Sequence, residues 1–170
     1  MNKDKSAVAR PWKRKFLGLS SQKVFGKIRI AVPKEKIKRF RENMKKLFHE
    51  GRGRNVASFI KERINPVLRG WFQYFSIGLS LKQVNTLDFW IRRRFRCLIW
   101  RQWKRPPTRI RKLLSLGIAQ NKGCYANNRR GPWWNAGLPV LTQALSPEYF
   151  NRLELFSFVD NLKKLRTTLT

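Results

Sequence analysis

Acidic side chains are scarce in this chain: nine Asp and Glu stand against 39 Lys and Arg, a formal net charge of +30 over 170 residues. A compact domain with that imbalance repels itself and calls for a polyanionic partner, nucleic acid first and an anionic membrane surface second. The scarcity also bears on catalysis. Nucleotidyl transfer with two metals needs clustered carboxylates, yet the aspartates are Asp4, Asp88 and Asp160, with no acidic pair close by in sequence. The glutamates (Glu35, Glu42, Glu50, Glu62, Glu148, Glu154) are scattered at spacings that suit surface ion pairs. Histidine and cysteine are nearly missing. His49, Cys97 and Cys124 cannot build a four-ligand zinc site. Two cysteines 27 positions apart do not suggest a disulfide framework either, which fits a reducing compartment. No glycine loop of the P-loop or dinucleotide type is present. No apolar run approaches the ~18–20 residues of a membrane helix, and the start lacks a signal-peptide core. The expectation is a soluble, intracellular, cytoplasmic protein with no cofactor, no metal and no catalytic centre of its own.

What the chain does have is apolar material. It is 42% hydrophobic, with seven Trp, twelve Phe and three Tyr, enough to bury a core and to argue against pure disorder. Residues 1–13 are polar and basic and are expected to be flexible. Lys15–Leu19 and Val24–Val32 alternate as short strands, with Ser20, Ser21 and Gln22 expected as the hairpin link. Pro33 suits the first turn of a helix whose apolar stripe is Ile37, Phe40, Met44 and Leu47. Its Lys and Arg face is either solvated or in contact with phosphates. Gly51-Arg52-Gly53-Arg54 breaks that helix, and Asn55 can cap the next. Val56, Phe59, Ile60 and Ile64 form the buried stripe there. Pro66 ends or kinks it, and Leu68, Trp71, Phe72 and Phe75 carry the pattern to Gly78.

The segment from Ser80 to Lys112 combines charge with aromatics. Helical spacing turns Val84, Leu87, Ile91, Phe95 and Leu98 to the core. The opposite side then carries Phe89, Arg93, Arg96, Trp100 and Lys104, flanked by Arg92, Arg94 and Arg101. From Asp88 to Lys112 there are ten basic residues and one acid. Basic groups interleaved with aromatics suit a surface that neutralises phosphates and stacks on unpaired bases. The other reading packs Phe89, Trp90 and Trp100 against a neighbouring helix and leaves the arginines to water. Pro106-Pro107 should stop this helix, with Thr108 capping a short one that ends at Gly117. A loop-rich stretch centred on Asn127–Trp134 follows. Ser146-Pro147 opens a short helix, and Ser157 caps a last one burying Phe158, Val159, Leu162 and Leu165. The fold class is mainly α: a helical bundle with a short amino-terminal β-hairpin.

Taken in order, several blocks resemble the carboxy-terminal half of group II intron-encoded reverse transcriptases, the thumb and maturase-specific region. They are Lys13-Arg14-Lys15-Phe16-Leu17-Gly18, Lys27-Ile28-Arg29-Ile30, and Ile64-Asn65-Pro66-Val67-Leu68-Arg69-Gly70-Trp71-Phe72-Gln73-Tyr74-Phe75. Asp88–Arg94 into Trp100–Lys104, and then Arg129-Arg130-Gly131-Pro132-Trp133, complete the series. The resemblance implies three segments: residues 1–32, a remnant of the last reverse-transcriptase block; 33–112, a helical thumb and maturase core; and 113–170, a carboxy-terminal maturase segment. It implies RNA contact by Arg92, Arg93, Arg94, Arg96, Arg101, Lys104, Arg105, Arg109, Arg111, Lys112, Arg129 and Arg130, to which the aromatic reading of the helix adds Trp100. The block around Arg69-Gly70-Trp71 is assigned to packing. The implied partner is structured group II intron RNA, or an RNA/DNA duplex. The family's fingers and palm blocks, with their polymerase aspartates, have no counterpart in these 170 residues, so no DNA synthesis is expected. Two other readings stay open at this stage: an inert remnant, and a subunit of a split reverse transcriptase with a palm supplied in trans.

Overall fold

The longest helix, α4 (Leu81–Gln102), is the element around which the others are arranged. The computed structural model describes residues 15, 16, 18–24, 27–125 and 128–168; the flexible start expected over residues 1–13 lies outside them. Three antiparallel strands come first: β1 (Lys15–Phe16), β2 (Leu19–Val24) and β3 (Lys27–Ala31), in the order β1-β2-β3. Ser20–Gln22 is therefore not the hairpin link. Ser20 sits inside β2, opposite Lys15 on one side and Ala31 on the other. The turn falls earlier because Gly18 takes φ +76, a left-handed conformation that costs glycine little. The sheet is tied to the helices at Val32, whose N–H donates to the Gly78 carbonyl (3.2 Å). Gly78 permits this approach: a Cβ there would lie 3.3 Å from the Ala31 carbonyl carbon and 3.1 Å from the Leu19 side chain.

Helix α1 (Lys34–Glu50) follows Pro33 and buries Phe40, Met44 and Phe48. Its C-terminal Gly51 lies under the Phe59 ring, where a Cβ would come within 2.5 Å of a ring carbon. Asn55 then caps α2 (Val56–Phe59), its Oδ1 accepting from the amides of Ala57 (2.9 Å) and Ser58 (3.3 Å). The helix continues through a π turn (Ile60–Ile64) into α3 (Asn65–Phe75). Pro66 explains the wide turn, since it has no N–H for the Glu62 carbonyl and its ring crowds that turn. A 3-10 turn (Ser76–Gly78) leads to α4, which opens on a capping box: Gln83 N–H to Ser80 Oγ (3.3 Å) and Ser80 N–H to Gln83 Oε1 (3.0 Å). Two prolines then occupy the first turn of α5 (Pro106–Ser115) instead of merely stopping α4, and the N-cap is Arg105, not Thr108.

The stretch expected to be loop-rich contains short helices: α6 (Gln120–Tyr125), α7 (Pro132–Asn135) and α8 (Pro139–Ala144). Then come α9 (Pro147–Arg152) and α10 (Phe158–Thr168). The mainly helical class expected from the sequence is the one observed. One buried cluster runs from Val32 to Leu162, with the aromatic rings of Phe40, Trp71, Phe72 and Phe158 packed together near α10.

Two buried polar side chains hold the C-terminal third in place. Asn65 donates Nδ2–H to the Glu154 carbonyl (2.8 Å) and accepts from the Phe156 amide (2.9 Å), clamping a turn in which Glu154 takes φ +58. Asp88, only 3% exposed, serves as a remote cap for α10. Its carboxylate accepts from the amides of Phe158 (3.0 Å) and Val159 (3.1 Å) and from the Ser157 hydroxyl (3.0 Å). Burial raises its pKa above the usual carboxylate value; the three donors and Arg92 pull the other way. Asp88→Ala leaves three donors without an acceptor and should lower unfolding free energy by about 2–4 kcal/mol in denaturant titration. A loss below about 0.5 kcal/mol would count against Asp88 as the anchor of α10.

Candidate nucleic-acid interface

Thirteen Lys and Arg and no carboxylate side chain lie between Phe89 and Pro147, and at the two edges of this stretch Asp88 and Glu148 lie within electrostatic reach of Arg92. The fold disposes of several by stacking them on aromatic rings. Arg94 projects from α4 between two indoles, with its Cζ 5.2 Å from the Trp90 centroid and 4.4 Å from that of Trp133. Arg93 covers Trp133 as well (4.4 Å) and donates Nη2–H to the Trp133 carbonyl (3.3 Å). Arg41 of α1 approaches Trp90 at 5.7 Å. Arg41, Trp90, Arg94, Trp133 and Arg93 thus make an alternating ladder of cations and rings joining α1, α4 and α7. Each such contact contributes about 0.5–1 kcal/mol at exposed sites and more when desolvated. The Nε–H groups of Arg41, Arg93 and Arg94 are buried with no hydrogen-bond partner among the described residues.

A short knob carries the outer end of the ladder. The Asn128 side chain accepts from the Arg130 amide (2.9 Å), and buried Asn135 donates to the carbonyls of Arg130 (2.7 Å) and Gly131 (3.2 Å). That bracing presents Trp133 and Trp134 at 39% and 55% exposure, with Arg130 stacked on Trp134 at 4.8 Å. Close packing also operates at Gly137, where a Cβ would meet Arg93 Nη2 at 2.9 Å.

The structure separates the thirteen expected contact residues into groups. Arg92, Arg93 and Arg94 are half-buried on α4, and Arg101 is exposed near its end. Arg129 and Arg130 are exposed on the knob. Lys104, Arg105, Arg111 and Lys112 are exposed along the α4–α5 junction and α5. Half-buried Arg109 stacks on Trp100 (4.6 Å) and donates Nε–H to the Trp103 carbonyl (2.7 Å), so part of it serves packing.

Two expectations are corrected. Arg96 and Trp100, placed by helical spacing on the solvent side, are 2% and 1% exposed. Six consecutive residues of α4, 95–100, are buried: Phe95, Cys97, Leu98 and Ile99 lie inside with them. A single wheel with one wet face cannot describe such a helix. Arg96 donates Nε–H to the Leu145 carbonyl (3.1 Å) at the end of α8, and its Nη1 has no partner among the described residues. Burial first, then Arg92 and Arg93, lower its pKa to about 10, so it stays charged at neutral pH. Burial, together with Arg101 and Arg93, lowers the pKa of Arg94 too.

Conversely, Arg41, Trp90, Trp133 and Trp134 as members of one array escaped the sequence reading. Arg41 lies 49 positions before Trp90 and looks like any other cation on α1. The adjacent Trp133 and Trp134 after Pro132 were the one visible hint, because neighbours on a short helix cannot both point inward.

Across α1, α4 and α7, arginines stack on indole rings instead of pairing with carboxylates. Residues 37–116, from α1 through the end of α5, match the family model for the group II intron, maturase-specific domain. The match covers just under half the chain and points to a group II intron maturase role, in a region of the reverse transcriptase that is not catalytic. None of the curated proteins compared with the chain matches it. The knob bearing Trp133 and Trp134 lies beyond the matched segment yet completes its ladder.

Arg96→Ala removes a buried side chain and orphans the Leu145 carbonyl, so thermal or chemical unfolding should show a loss of about 2–4 kcal/mol. Arg96→Met, which restores volume and removes the buried charge, should recover at least half of it. Equal stability of Arg96→Ala and the parent would contradict the interior role.

Proposed function

We propose that the chain binds folded group II intron RNA across the arginine- and tryptophan-bearing surface of α1, α4 and α7, and so stabilises the RNA form competent for splicing. The observation that carries this reading is the ladder from Arg41 to Arg93, whose guanidinium groups are held in place by ring faces and not by carboxylates. Ring stacking fixes the arginines before the ligand arrives, which lowers the side-chain entropy lost on binding. Guanidinium groups match phosphate oxygens in geometry as well as charge. The exposed rings of Phe89 and Trp134 offer faces for unpaired bases, the part of RNA most open to recognition. Arg92, Arg93, Arg94, Arg101, Lys104, Arg105, Arg111, Lys112, Arg129 and Arg130 are the proposed contact set. Arg109 contributes from its exposed part, and Arg96 and Trp100 support the surface from inside.

Affinity should fall steeply with salt as condensed counterions are released. Titration of a group II intron RNA and an unrelated structured RNA over a salt series tests the reading. The intron RNA should bind more tightly at every salt concentration. Arg101→Gln should lower the slope of log affinity against log salt by about 0.7–0.9. Arg96→Met should leave that slope unchanged in the folded protein. Equal affinity for both RNAs would remove the maturase reading and leave general polyanion binding.

A further inference from the structure

Between α1 and α4 lies a cavity of about 240 Å³ that the ladder does not fill. Its rim carries four cations and a histidine: Lys45 and His49 from α1, Arg52 from the turn after it, and Arg94 and Arg101 from α4. Its floor is apolar, formed by Phe48, Cys97 and Leu98. No carboxylate lines it. We propose that this cavity is a subsite for a single unstacked nucleotide of the bound RNA, its base on the apolar floor and its phosphate held by the rim.

Each feature selects against simpler occupants. A bare phosphate would satisfy the rim and leave the floor of Phe48 and Leu98 uncovered. An uncharged apolar ligand would cover the floor and leave four Lys and Arg side chains near one another with no counter-charge. The volume lies below the ~300–1,000 Å³ typical of sites for drug-sized ligands, which suits one nucleotide and excludes a helix or duplex edge. Arg94 adds an independent observation. Its guanidinium is fixed between Trp90 and Trp133, yet the same side chain lines the cavity. The same residue therefore belongs to both the stacking ladder and the cavity wall. A strand whose phosphates follow the ladder passes the mouth of the cavity, and an extruded base can enter while its backbone stays on the arginines.

This inference rests on the RNA-binding reading, and the test separates the two. Affinities of the full chain would be measured for three RNA hairpins: fully paired, carrying one unpaired nucleotide in the stem, and carrying an abasic residue at that position. With one base stacked on the apolar floor, the bulged hairpin should bind about tenfold more tightly than the paired one. The abasic hairpin should lose most of that preference. Lys45→Gln combined with Arg52→Gln, both at exposed positions, should abolish the preference while the melting temperature stays within a degree or two of the parent. Equal, salt-dependent affinity of the parent for all three hairpins would overturn the nucleotide subsite and leave RNA binding standing. Abasic and intact bulges binding alike would overturn placement of a base on the floor. No salt-dependent affinity for any hairpin would overturn both readings.

Discussion

Cations outnumber carboxylates so heavily in this chain that ion pairing cannot dispose of them, and the fold is organised around that constraint. The exposed Arg63–Glu50 pair at 3.3 Å is the kind of contact that contributes little. The best-buried carboxylate, Asp88, faces the amides of α10 instead of a guanidinium. Arginines are therefore placed against π faces and carbonyl oxygens: Arg93 and Arg94 on Trp133, Arg109 on Trp100, Arg130 on Trp134, and Arg96 on the Leu145 carbonyl. These partners orient positive charge without cancelling it. The folded protein keeps its full net repulsion, and any ligand that neutralises the charge also stabilises the fold.

The same constraint explains the central place of α4. Its N-terminal half sends Asp88 to the start of α10, and its C-terminal half sends Arg96 to the end of α8. Between them, Arg93 and Arg94 meet the α7 knob. Asn65 of α3 adds a fourth long-range tie at Glu154 and Phe156. The segment matching the maturase-specific domain is thus not self-contained in its packing: residues beyond 116 supply its remote cap partners, part of its core and the outer ring of its cation–π ladder.

Much of the secondary structure was legible because it depends on neighbours in the chain. Asn55 is a local cap. The stripe Val84, Leu87, Ile91, Phe95 and Leu98 follows helical spacing, and every one of these residues is buried. Errors arose where a local cue had two readings. Ser20–Gln22 looked like a turn, but the neighbouring Gly18 takes the positive φ. Pro106-Pro107 looked like a stop and is also a start. Gly, Asn and Pro between 118 and 139 suggested a loop where several short helices form, because each turn there is stabilised by packing and not by propensity.

The basic and aromatic character of the surface was also legible, since it needs only composition and its concentration after Asp88. Which cations meet the solvent was not. Helical periodicity assigns a residue to a face, but it cannot say how many faces other elements cover, so Arg96 and Trp100 read as exposed and lie inside. The ladder of Arg41, Trp90, Arg94, Trp133 and Arg93 draws on positions as far apart as 41 and 133. The cavity beside it needs two helices side by side. The amino-acid sequence alone determined that this chain carries unbalanced positive charge on a helical, aromatic-rich framework, because charge and periodicity are local properties. The tertiary structure alone decided which arginines are held, stacked and presented, because that depends on distances between residues that the chain itself keeps far apart.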